Sequence, residues 1–225
     1  MKINTHDSPI LIISAPRSGS SLLSYVLNEE GIQVGITKRG DRFNPNGYFE
    51  NLQIRDVIID YLKSNDDFEL GKKFNPIDLN ADMPNFKNKI TDILVDEKIQ
   101  NDKPWLFKDP KNTFAWMLWN KYYPDAKWIL LNRNTSDIIN SFFNTDFMDA
   151  CNSLECWVNY LSKFRANMSS IKHNCKNVFE FDIESLFNAD EDKINSLFDF
   201  IGINNTGKYK NCVETKIPNI HIVKW

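Results

Sequence analysis

The stretch from residue 10 to residue 30, ILIISAPRSGSSLLSYVLNEE, changes character twice. Ile10–Ser14 is a short run without polar alternation, the pattern of a strand buried on both faces of a parallel sheet. Ala15–Ser20 holds Pro16 and Gly19 and reads as a turn. Ser21–Glu30 then sets Leu22, Leu23, Val26 and Leu27 at helical spacing, and Gly31 suits the end of that helix. Strand, loop and helix in this order point to the α/β class.

The same alternation continues outward. Ile32–Gly35 reads as a second short strand and 36–47, with Gly40, Pro45 and Gly47, as a loop. Helices are expected at Asn51–Lys63 and Phe86–Gln100, on either side of a polar, irregular 64–85 with Pro76 and Pro84. Trp105–Lys108, Lys127–Leu131 and Val178–Asp182 read as strands. Asn112–Tyr123, Thr135–Asn144, 151–171 and Asp190–Ile201 read as helices, with Pro124 stopping the first and Thr135 or Ser136 available to cap the second. The predicted architecture is a three-layer α/β fold, a central parallel sheet of about five strands with helices on both faces. One domain is expected over residues 1–225, with its core in 10–202 and a poorly defined tail from 203.

Composition narrows the function classes. Hydrophobic residues at 42% suffice for a large core and exclude a disordered chain. A net charge of −3 argues against a general nucleic-acid binder, although it says nothing of a local anion site. Cys151, Cys156, Cys175 and Cys212 form no C-x-x-C pair, so free or buried thiols in a reducing compartment are expected rather than a disulfide framework or a zinc knuckle. His6, His173 and His221 show no metal spacing, and no metal is expected. The apolar run Ile10–Ile13 is too short for a signal peptide or membrane anchor, so a cytoplasmic protein without a membrane partner is expected.

The first loop carries the chemistry. A loop between a strand and a helix aims backbone N–H groups at one point, and the helix N-terminus adds positive potential. Gly19 lets the backbone approach a ligand, Ser18, Ser20 and Ser21 offer hydroxyls, and Arg17 offers a fork for anionic oxygens. A phosphate-like or sulfate-like group fits. The loop is not a Walker A motif: Ser14 stands where its first glycine belongs and Ser20 where its lysine belongs.

Pro16–Leu23, PRSGSSLL, resembles the 5′-phosphosulfate loop of the sulfotransferases that use 3′-phosphoadenosine 5′-phosphosulfate (PAPS). Arg133 at a strand end, with Ser141 eight residues on, is similar to that family's 3′-phosphate site. The bland alternative pairs Arg133 with Asp137 and leaves Ser141 in a helix contact. Lys108, ending Trp105–Lys108, matches a family lysine; the resemblance implies that it neutralises charge on the transferring sulfuryl group. Small-molecule members place a histidine two residues later, where this chain has Pro110, so that base is not carried over. Asn46–Asn51, NGYFEN, resembles a segment of bacterial and carbohydrate-type members, which implies Glu50 as the base; Asp109 and His221 are the alternatives. Glu50 is equally well placed as a helix-start carboxylate. In the tail, Gly207-Lys208 is a weak stand-in for the family's Arg-Lys-Gly segment, and Trp157 and Tyr160 are weak candidates for stacking on adenine and better core residues.

The resemblance, spanning about 10–202, implies a sulfotransferase that moves a sulfuryl group from PAPS to a hydroxyl or amine of a small molecule or sugar and releases adenosine 3′,5′-bisphosphate (PAP). Arg17, Lys108 and Glu50 would be catalytic; Arg17, Ser18, Gly19, Ser20, Ser21, Arg133 and Ser141 would bind the donor. Two rivals remain: a P-loop-type nucleotide or small-molecule kinase, lacking its lysine here, and a catalytically silent nucleotide-binding protein. Acceptor choice is expected to reside in residues 36–47, 64–85 and 145–152.

Overall fold

The computed structural model describes residues 5–41, 44, 47–65, 82–145 and 151–216. Among these, β1 (Ile10–Ile13), β2 (Leu106–Lys108), β3 (Lys127–Asn132) and β4 (Asn177–Asp182) form one sheet. It is parallel throughout, in the order β2-β1-β3-β4. Ile12 lies level with Lys108 and Ile129, and Asn132 with Asp182, so all four strands deliver their carboxyl ends to one rim.

Alternation along β1 divides the core in two, because successive strand side chains point to opposite faces. Leu11 and Ile13 join Phe107, Trp128 and Leu130 beneath α2 (Leu52–Asn65), α3 (Phe86–Asp96), α4 (Trp116–Tyr122), α5 (Thr135–Phe143) and α6 (Leu154–Asn174). Ile10 and Ile12 join Leu106, Ile129 and Leu131 beneath α1 (Ser20–Glu29), α8 (Glu191–Ile201) and α9 (Lys208–Lys216). A short α7 (Glu184–Phe187) follows β4. The three-layer α/β expectation holds.

The expected fifth strand is absent. Ile32–Gly35 makes one parallel bridge, Gln33 to Trp105, and no ladder. Gly31 and Gly35, at φ 103° and 68°, turn the chain on either side of it. Asn112–Tyr123 is not one helix: a 3-10 turn at Pro110–Thr113 precedes α4. α3 stops at Asp96 rather than Gln100 because Lys98 takes a φ of 58°. Asn134, not Thr135 or Ser136, caps α5, its Oδ1 accepting from the Ser136 N–H at 2.9 Å. Within the tail, α9 packs Tyr209, Cys212 and Val213 into the core; residues 217–225 lie outside the described residues.

The cysteine expectation is corrected for two of four residues. Cys151 and Cys156 form a disulfide, because the turn into α6 brings their Cα atoms to 5.5 Å; Cys175 and Cys212 are buried and form no disulfide. Among the described residues no helix is long and apolar enough to cross a membrane.

Candidate active site

The loop from Ser14 to Gly19 leaves β1 at the rim and enters α1. Arg17 takes a φ of 65°, a costly conformation for a side-chain-bearing residue and one that surroundings must hold. Gly19 is the residue before α1, at φ 85°. The structure adds a second reason for this glycine: a Cβ here would lie 2.7 Å from Cγ1 of buried Ile183, just past β4. Ser18 and Ser20 are buried at the turn, and Ser21 stands half-buried behind them.

The second arm meets the first. Arg17 Nε donates to Ser141 Oγ of α5 at 2.8 Å, and Arg133 Nη1, just past β3, donates to the Arg17 carbonyl at 2.9 Å. Residues separated by more than a hundred positions are thereby joined at one spot. Arg133 Nε is buried without a hydrogen-bond partner among the described residues, and the half-exposed Asp137 carboxylate is 4.0 Å away. The Arg133–Asp137 alternative therefore accounts for little of this arginine. A buried, unsatisfied donor is costly, and an anion at this place would relieve it.

The third group comes from β2. Lys108 Nζ pairs with Glu50 Oε1 at 3.0 Å and donates to Ser21 Oγ at 3.3 Å. The lysine is 2% exposed and the glutamate 12%. So buried a pair tolerates poorly the loss of either partner, at a cost of about 3–5 kcal/mol. Glu50 arrives on an irregular strap: Phe49 before it takes a φ of 55°, and its carbonyl accepts from the Lys38 N–H at 3.1 Å.

A family model described as "Sulfotransferase family" matches residues 9–206, nearly the whole of this arrangement. The chain belongs to the sulfotransferase family. Three solved structures share the fold. Sulfotransferase STF9 from Mycobacterium avium is 12% identical, with 96% of this chain and 69% of that one covered at a TM-score of 0.55. Sulfotransferase STF1 from Mycobacterium tuberculosis is 13% identical, with 92% and 71% covered at 0.53. Mouse sulfotransferase SULT7A1, complexed with PAP, is 15% identical, with 93% and 63% covered at 0.51. Comparison with curated protein sequences gave no significant match. The protein is thus an enzyme of sulfuryl transfer, a transferase of sulfur-containing groups.

Electrostatics at the sulfotransferase site favour an anion. Burial, and then the charge of Arg133, push the Arg17 guanidinium below its ordinary value, while Tyr48 and Asp41 oppose them. Arginine stays protonated even so, so the two neighbouring cations repel until something negative separates them.

Two groups at this site were missed as functional residues. Tyr48 hydrogen-bonds both Asp41 oxygens at 2.8 and 2.9 Å, carries Lys38 Nζ 3.9 Å over its ring, and gives its carbonyl to Ser21 Oγ. Burial and the Asp41 bond push its phenol up to about 12. Nothing in NGYFEN alone names Asp41 as the partner; only the antiparallel contact of Asp41 with Asn44 folds the strap back. Glu97 is the second, taken up below.

Other candidates lie elsewhere. Asp109 is buried and spent on the 3-10 turn, accepting from the Lys111 N–H at 2.8 Å and pairing with Lys111 Nζ at 2.9 Å. Lys208 donates to the Glu29 carbonyl, at the end of α1 opposite the loop, so Gly207-Lys208 is no part of the site. Trp157 and Tyr160 pack with Phe142 in the core. His221, and most of the three segments expected to choose the acceptor, lie outside the described residues.

Proposed function

We propose that this sulfotransferase takes its sulfuryl group from PAPS and delivers it to a hydroxyl or amine of a small molecule or a neutral sugar. The observation that carries the reading is the union of the two arms, with Arg17 bonded to Ser141, Arg133 bonded to Arg17, and the Arg133 Nε left without a hydrogen-bond partner among the described residues. Such a pair of arms suits a nucleotide with anionic groups at two positions. The PAP complex of the mouse neighbour fits the same reading. Arg17, Ser18, Gly19, Ser20 and Ser21 would hold the 5′ group, through side chains and the N–H groups at the start of α1. Arg133 and Ser141 would hold the 3′-phosphate.

When bound, the donor supplies the sulfuryl group, whose transfer is an in-line displacement that depends mainly on positioning and charge stabilisation. Glu50 takes the proton of the acceptor hydroxyl as its oxygen bonds to sulfur. Lys108 and Arg17 neutralise the bridging oxygen that leaves with the bisphosphate. Lys108 touches both Glu50 and Ser21, so it sits between the base and the donor loop. No metal is invoked.

A thermal melt tests the reading. PAP, AMP and ATP with Mg²⁺ are compared at one concentration; a ligand at 100 times its Kd stabilises by about 2.7 kcal/mol. PAP is expected to shift the melt most. Equal shifts with PAP and AMP would sink the two-arm reading, and a preference for ATP with Mg²⁺ would favour the kinase.

A further inference from the structure

Glu97 ends α3, outside both arms, yet its carboxylate is the hub of the strap that carries Glu50. Oε2 accepts from the Ile36 N–H at 2.7 Å and from Asn51 Nδ2 at 2.6 Å, while Oε1 accepts from Gln53 Nε2 at 3.1 Å. Asn51 is the residue after Glu50 and is 2% exposed. Its other side-chain atom, Oδ1, caps α2 by accepting from the Ile54 N–H at 3.0 Å. Gly35 leaves room for this hub: a Cβ there would stand 2.1 Å from Glu97 Oε2 and 2.5 Å from Asn51 Nδ2.

Glu50 is thus bracketed. Phe49, at its positive φ, precedes it, and a side chain pinned at both ends follows it. The backbone bonds Lys38 N–H to Glu50 O and Leu52 N–H to Ile36 O tie the two sides of the strap, each at 3.1 Å. A partly buried carboxylate taking three N–H donors is more than chain closure requires, and what it fixes is the residue next to Glu50.

We infer that Glu97 is a positioning residue for sulfuryl transfer: through Asn51 it fixes the backbone from which Glu50 reaches Lys108 and the acceptor. The inference rests on Glu50 as the base. A misplacement near 1 Å costs a catalytic group about a hundredfold, so a remote hub can govern turnover without touching a reactant.

The test is a double-mutant cycle on the full chain, read by enzyme-dependent hydrolysis of labelled PAPS, with water as the acceptor. Glu97→Ala should lower kcat about 10- to 100-fold and leave the KM for PAPS and the affinity for PAP unchanged. Glu97→Gln, whose carbonyl oxygen can still accept from Ile36 and Asn51, should recover most of the loss. In a Glu50→Gln background, Glu97→Ala should cost nothing further. A purely structural role would lower PAP affinity and the melt, and would multiply with Glu50→Gln; that result overturns the inference. So does wild-type kcat in Glu97→Ala. Full hydrolysis in Glu50→Gln, or none in the native enzyme, fails the base reading and the inference with it. Glu50→Gln impaired alongside an additive Glu97→Ala fails the inference alone. If Glu97→Ala does not fold, Gly35→Ala, whose methyl would meet Glu97 Oε2 and Asn51 Nδ2, replaces it in the same cycle.

Discussion

The two halves of the proposed site, one assigned above to the donor and one to the acceptor, are built differently. The donor half hangs from regular elements: Arg17 and Gly19 follow β1, Arg133 follows β3, and Ser141 lies on α5. Parallel strands converge on one rim, so these groups meet as soon as the sheet pairs. The acceptor half hangs from a strap of isolated bridges, Thr37 with Asn51 and Asp41 with Asn44, held by side-chain hydrogen bonds. Sheet geometry positions the first half; a few carboxylates and amides position the second. A donor common to many reactions suits a rigid mount, whereas an acceptor that varies suits a strap open to revision.

The sharpest break of this comparison is Glu50→Gln. General-base catalysis contributes about 10²–10⁴-fold, so kcat should fall by that factor while PAP affinity stays. Acceptors are found by screening hydroxylated metabolites with labelled PAPS. Full turnover in Glu50→Gln, with loss in Asp109→Asn or His221→Gln, would move the base elsewhere.

On the donor half, Arg133→Ala should weaken PAP about 10- to 150-fold by calorimetry, through the loss of one charge-assisted contact. Ser141→Ala should weaken it less, and Lys208→Ala, at the far end of α1, not at all. Unchanged affinity in Arg133→Ala would make that arginine a structural residue.

Alanine at two glycines separates the halves again. Gly19→Ala drives a methyl into Ile183 and should cost about 1–3 kcal/mol, with PAP binding weakened. For a domain of this size that is a fall of roughly 2–4 °C in Tm for each kcal/mol. Gly35→Ala meets the Glu97 carboxylate and the Asn51 amide that it holds, so it should lower kcat and spare PAP affinity. The reverse pattern would mean that the halves are not mechanically separate.

The smallest effect is a control outside both halves. Burial pushes the Cys175 thiol up to about 12 from 9.0. The raised value contributes stability below pH 9 that is lost as pH climbs towards 12. Native protein at pH 8 should show almost no reactive thiol to a disulfide reagent, and unfolding should release Cys175 and Cys212. Fast labelling in the native state would show that the core opens.

The contrast also explains what could be read from sequence. β1, its loop and α1 have local signals: an apolar run, Pro16 and Gly19, then a helical stripe. Arg133 and Ser141 stand on the same kind of signal, so the meeting of these two residues with Arg17 at one rim was legible. Ile32–Gly35 was misread because a short apolar run reports burial, not pairing, and only the glycines around it decide that no ladder forms. Glu97 and Asp41 were illegible because each binds the strap through partners remote in sequence or through a fold-back that no local pattern encodes. The Cys151–Cys156 bond escaped for a similar reason: its spacing is common, and the turn before α6 makes it a pair.

The strand order has a consequence for how the molecule comes into being. β1 lies between β2 and β3, yet the chain must travel roughly a hundred residues before either partner exists, and contacts of such separation slow folding. On a ribosome the first strand therefore emerges with both edges bare and waits until residues 106–108 for its first partner. β3 and β4, nearer in sequence and sharing the longest register, can pair sooner after both are made. Until β2 and β3 are made, the ILII stretch has no strand to pair with, and in that interval it is exposed to wrong partners.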